Sequence, residues 1–148
     1  MNFRDKLYRI VIDSDTKNGR RFDIFIQTLI FLSLISFSIE TLPNLNEDFL
    51  GFLSVFETIS VVIFSIEYIL RVILTKSSIR YIFSFYGIID LAAILPFYIA
   101  SGIDLRSVRL FRMLRLFRIL KLFKYSKSIK NMTTAFHSIK KELIIFFV

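Results

Sequence analysis

The sequence predicts an all-α membrane protein: an antiparallel four-helix transmembrane bundle followed by an amphipathic interfacial helix. Three observations carry that expectation. Of 148 residues, 55% are hydrophobic and 16% aromatic, more apolar surface than a soluble domain of this size can bury. The apolar residues gather into stretches of roughly 20 residues, the length of one helical span. Seven of the 20 Lys and Arg residues fall at every third position from Arg106 to Lys124. The same composition excludes a disordered chain. With no Cys there are no disulfides and no thiolate metal sites, and neither a metal nor a cofactor is expected.

Residues 1–21 form a short polar segment carrying Arg4, Lys6, Arg9, Lys17, Arg20 and Arg21. It lacks the long apolar core and cleavage site of a signal peptide. Asp13-Ser14-Asp15 opens like a calcium loop, but Lys17 and Ile24 stand where oxygen ligands belong. The first span, about 22–41, is apolar or hydroxylic from Ile24 to Ile39 and is bracketed by Asp23 and Glu40; Pro43, Asn44 and Asn46 then end it in a turn. The second, about 50–74, contains Glu57, Glu67 and Arg71. The third, about 80–100, contains Asp90 and Pro96, and the proline should kink or break it. The fourth, about 104–124, holds the cation repeat. Residues 22–124 thus make the bundle.

Loop charge sets the orientation. The N-terminal segment and the connection with Arg71, Lys76 and Arg80 are basic, whereas the stretch from Thr41 to Gly51 has no cation. The positive-inside rule puts both termini in the cytoplasm of a multi-pass protein of the cell membrane. A soluble helical bundle would need polar faces, and the first span offers only a few hydroxyls and Gln27.

Arg106, Arg109, Arg112, Arg115, Arg118, Lys121 and Lys124 are separated by pairs that are apolar except at Ser107. On an α-helix this spacing gives a slowly winding stripe; on a 3₁₀ helix it gives one straight face. Each arginine at mid-bilayer costs roughly 2.5–3.5 kcal/mol on the lenient insertion scale, so acids or water must receive it. Glu57, Glu67 and Asp90 lie inside the other spans, where an unpaired acid is equally costly. A uniform ladder lets each cation take its neighbour's partner as the helix slides. Moving three or four charges through the membrane potential yields roughly 7–9 kcal/mol per 100 mV, enough to switch a two-state element. The pattern reads as a voltage sensor. A basic stripe is elsewhere a solvated face or a nucleic-acid patch, but the regular repeat and apolar spacers beside three spans argue against both; no nucleic acid and no small-molecule substrate is expected as a partner. Phe64, one of 18 Phe, reads on physical grounds alone as core packing.

These residues resemble the voltage-sensor domain of voltage-gated potassium channels, in a prokaryotic-looking form, over nearly the whole chain. The resemblance rests on Glu40-Thr41-Leu42-Pro43, on Glu57, Phe64 and Glu67 at intervals of seven and three, on Ile88 through Tyr98 with Asp90 and Pro96, and on the cation ladder running out to Lys127. It implies a charge-transfer site made of Phe64, Glu67 and Asp90, with Glu57 as external countercharge. The ladder cations would be the gating charges, Arg109 to Arg118 the principal ones, Lys121 the inner member and Arg106 at a position often uncharged in the family. The implied partners are the lipid bilayer and the pore domain of the same, longer chain, a homotetramer when complete.

After the ladder, Ile129, Met132, Phe136 and Ile139 recur at helical intervals among lysines, so residues 125–141 read as an amphipathic helix on the inner membrane surface. It fits a passive anchor as well as the lever that the resemblance implies. Residues 142–148 begin another apolar run, expected to be the truncated start of a pore helix. Phe85-Tyr86-Gly87 is expected in an inner loop rather than in an ion filter. Two alternatives stand beside the potassium-channel sensor: a pore-less proton-conducting sensor, whose family carries an acid midway along the first span, and the sensor of another voltage-gated cation channel. With no Cys for a phosphatase signature, no enzyme activity is expected.

Overall fold

The structure is a computed structural model that describes residues 3–13, 15–100, 113–125 and 139. Among them every regular element is helical: α1 (Phe3–Val11), α2 (Lys17–Glu40), α3 (Glu47–Leu74), α4 (Ser78–Ile82), α5 (Phe85–Ala100), a 3₁₀ segment (Leu114–Ile119) and a final α-turn, α6 (Leu120–Phe123). Residues 104–112 of the expected fourth span, nearly all of the expected linker helix and the run 142–148 lie outside the described residues.

The N-terminal segment, expected to be merely polar, contains α1. Leu7, Ile10 and Val11 fall on one face at helical spacing, and α1 uses it to pack on α2 and α3. Thr16 then caps α2 by accepting from the Gly19 backbone N–H at 3.0 Å. Gly19 is required there, because a Cβ would run into the Asp13 carbonyl. This cap starts α2 at Lys17, earlier than the expected residue 22. Asn46 caps α3, with Glu47 and Asp48 in its first turn where the helix dipole favours acids. Ser84 caps α5 through the Gly87 N–H at 3.1 Å, so Phe85-Tyr86-Gly87 opens a helix rather than lying in a loop. Nor does α5 end at Pro96, which is buried inside it. A proline within a helix lacks its own N–H and so frees the carbonyl four residues before it, here that of Ala92. Next to it, the Ala93 carbonyl accepts Arg118 Nε–H at 3.3 Å.

α3 packs on α2 and α5, while the 3₁₀ segment packs on α5 and α2. Ile26, Leu29, Ile30, Val61, Phe64 and Ile94 form the apolar centre. The remaining burial is inverted. Glu57, Glu67, Asp90, Arg118 and Lys121 are buried, whereas Phe25, Phe31 and Ile35 on α2 and Phe52, Ile59, Ile66 and Ile73 on α3 are exposed. Both long helices are apolar enough to cross a membrane, yet only 28% of the apolar window of α2 and 33% of that of α3 is buried. A soluble core helix would be mostly buried; these helices turn hydrocarbon outward and charge inward.

Candidate functional site

The 3₁₀ geometry of Leu114–Ile119 aligns side chains three residues apart. Arg115 and Arg118 therefore stand one above the other, and α6 carries the same face on to Lys121. Each meets acids from other helices. Arg115 donates to Glu40 at 3.0 Å and lies 3.3 Å from Glu57. Both terminal nitrogens of Arg118 donate to Glu57, at 2.7 and 2.5 Å, the fork-on-carboxylate geometry that a lysine cannot reproduce. Lys121 donates to Glu67 at 2.6 Å and lies 3.5 Å from Asp90 Oδ1. Lys124 donates to Asp90 Oδ2 at 2.5 Å and to the Tyr81 hydroxyl at 3.0 Å. Successive cations share acids: Glu57 serves Arg115 and Arg118, and Asp90 serves Lys121 and Lys124.

Phe64, with no exposed surface, divides this column. Glu57 lies two helical turns before it on α3 and Glu67 nearly one turn after it. The Lys121 ammonium is 4.5 Å from the ring centroid and the Arg118 guanidinium carbon 6.0 Å, so the two cations bracket one aromatic ring at cation–π distance.

Below the ring is a fixed group that does not belong to the repeat. Arg71 on α3 lies 2.9 Å from Glu67 and 3.9 Å from Asp23 on α2. It donates to the Tyr125 hydroxyl at 3.3 Å, which donates in turn to Glu67 at 3.3 Å. Each of the described cations Arg71, Arg115, Arg118, Lys121 and Lys124 thus has an acid beside it, and the column is electrically balanced. Isolated charges in so dry a place would cost several kcal/mol apiece. A cleft of about 240 Å³, lined in part by Asp23, Arg71, Tyr81, Lys124 and Tyr125, opens at this end.

Of the expected site residues, the structure brings together Glu57, Phe64, Glu67, Asp90, Arg115, Arg118, Lys121 and Lys124. Arg106, Arg109 and Arg112 lie outside the described residues. Asp23 and Glu40, expected only to bracket the first span, are acid partners of Arg71 and Arg115. Tyr81, Tyr125 and the Ala93 carbonyl went unforeseen. The spacing of Arg71 four residues after Glu67 was a readable signal; nothing periodic points to the two tyrosines.

A chain that buries ion pairs and exposes hydrocarbon along helices of membrane-spanning length is a membrane protein, and the described site is built from the chain's own paired charges. A family model described as ion transport protein matches residues 19–148, and the chain belongs to that family. Its function is accordingly of the ion-channel type, since members of the family are channels and not enzymes. No curated protein matches the chain.

Proposed function

We propose that the chain is the voltage-sensor domain of a voltage-gated potassium channel. It spans the cell membrane four times, with both termini in the cytoplasm, as an antiparallel bundle of α2, α3, α5 and the ladder helix. Arg106, Arg109, Arg112, Arg115, Arg118, Lys121 and Lys124 are its gating charges; Phe64, Glu67 and Asp90 form the charge-transfer site and Glu57 the external countercharge. Residues 125–141 pass the movement to a pore domain in a homotetramer. Potassium as the ion rests on the sequence resemblance.

One observation carries the reading: a straight face of cations meets acids step by step on both sides of a buried ring. Displacing such a ladder by three residues moves each cation onto its neighbour's acid, so none crosses the apolar centre bare. The ring keeps water from joining the two sides, and the field falls across a short distance.

The absence of Cys allows a single Met113→Cys label at an exposed position. In a polarised bilayer, its fluorescence should change sigmoidally with voltage, together with a transient charge movement. Arg115→Gln should reduce the charge moved. A label that ignores voltage overturns the reading, and sustained proton current through the protein moves it to the proton-conducting alternative.

A further inference from the structure

We propose that Tyr81 and Asp90 form a second cation-holding station, inward of the Phe64 ring, shaped for the ammonium groups at the inner end of the ladder. The proposal rests on the voltage-sensing reading and adds to it a residue and a resting place.

The Tyr81 hydroxyl donates to Asp90 Oδ2 at 2.6 Å and accepts from Lys124 Nζ at 3.0 Å, while Lys124 also reaches the same carboxylate oxygen. A phenol can donate and accept at once, and here it does both within one triangle. The Tyr81 ring centroid is 5.6 Å from the ammonium, so Lys124 meets the hydroxyl end of the ring rather than its face. By engaging Oδ2, the triangle leaves Oδ1 free of hydrogen bonds, facing Lys121 at 3.5 Å. Asp90 thereby serves two stations, one through each oxygen.

The fold is built to hold Tyr81 there. Its carbonyl accepts the Ser84 hydroxyl at 2.6 Å and the Ser84 N–H at 3.0 Å. Gly87 leaves room for that carbonyl, which a Cβ would strike. The ladder also matches the station in chemistry. Its inner members, Lys121, Lys124 and Lys127, are lysines, whereas every earlier member is an arginine. A compact ammonium can aim separate N–H bonds at a phenol oxygen and a carboxylate; a planar guanidinium needs a wider face. Lys124 occupies the station in the observed position, and hyperpolarisation, by drawing the ladder inward, would bring arginines there in place of lysines.

A double-mutant cycle of Tyr81→Phe and Lys124→Gln tests this, read in two ways. With the label at Met113→Cys, Tyr81→Phe should lower occupancy of the observed position about tenfold at fixed voltage, the worth of a hydrogen bond to a charge. With roughly three charges moving, that is a midpoint shift of roughly 20 mV toward depolarisation. The total charge moved should not change, and Tyr81→Phe should add nothing once Lys124 is Gln. Tyr86→Phe, in the same cleft, should leave the midpoint alone. Lys124→Arg, which keeps Tyr81 and the charge, should shift the midpoint in the same direction. The second reading is thermal unfolding in detergent without voltage, where the same coupling should appear. A voltage response with additive effects at 81 and 124, or no shift with Lys124→Arg, overturns the station and spares the sensor. Coupling on unfolding in a protein that ignores voltage overturns the sensor and leaves a static cation site.

Discussion

The two sides of the Phe64 ring solve the same problem differently. Toward Glu40 the cations are arginines, and Glu57 is gripped by both terminal nitrogens of Arg118. Toward the cleft the ladder cations are lysines, joined by the fixed Arg71, and each carboxylate has several claimants: Glu67 serves Lys121, Arg71 and Tyr125, and Asp90 serves Lys121, Lys124 and Tyr81. Exposure differs as well. The Arg115 and Glu40 side chains keep 18% and 24% of their surface, against 0% and 1% for Lys121 and Glu67. At the Arg115–Glu40 pair, water can help to replace a lost partner. The dry side holds its charges by sharing, and removing one member strands the others.

The largest effect should come from breaking the shared side. Glu67→Gln leaves Lys121 with only its longer Asp90 contact and Arg71 with the distant Asp23, so unfolding in detergent should show a loss of about 3–5 kcal/mol. A loss no larger than that of Glu40→Gln would erase the contrast between the sides. Phe64→Ala at the divide should cost about 3–5 kcal/mol by opening a cavity and should also alter the charge moved per voltage step. Phe56→Ala, only partly buried against the same centre, should cost less and leave the moved charge unchanged. Equal effects on charge movement would return Phe64 to plain packing. On the arginine side, Arg118→Lys keeps the charge but gives up the fork on Glu57, and the midpoint should shift with about a tenfold change in occupancy. The smallest effect belongs to Glu40→Gln, about 0.2–1 kcal/mol, as for exposed ion pairs generally.

Membrane burial also changes what holds the helices together. Lipid is as apolar as the Ile26–Phe64–Ile94 centre, so apolar burial from lipid contributes little net drive, and packing and polar contacts do the work. Hydroxyls inside the helices are satisfied locally: Ser33 bonds back to Ile30 and Ser60 to Phe56, while Ser65 bonds both to Val61 and to the Tyr98 hydroxyl of α5. Such groups neutralise themselves within a turn and leave the charge column as the distinctive link between helices.

Much of this was legible in the chain. The apolar stretches of α2 and α3 and the acids inside them follow from composition along a few turns. Local detail was harder to read. α1 is too short to rise above its charges, the Thr16 cap moved the start of α2, and α5 continues through Pro96, where a kink or break was expected. Tyr81 lies nine residues before Asp90 across a corner, so no helical period joins them, and Tyr125 follows the ladder without sharing its spacing.

By itself the sequence determined the hydrocarbon-facing helices and a cation at every third position, because both are periodicities that one helix expresses on its own. Only the tertiary structure decided that Arg118 meets Glu57 and that Lys121 meets Glu67 and Asp90. Those pairings join residues up to 61 positions apart. They depend on how far each helix is staggered and turned against the next, which side-chain packing between helices sets and no single repeat contains. The 3₁₀ turn of the ladder belongs with them, since straightening the stripe is worthwhile only when the acids stand in line to receive it.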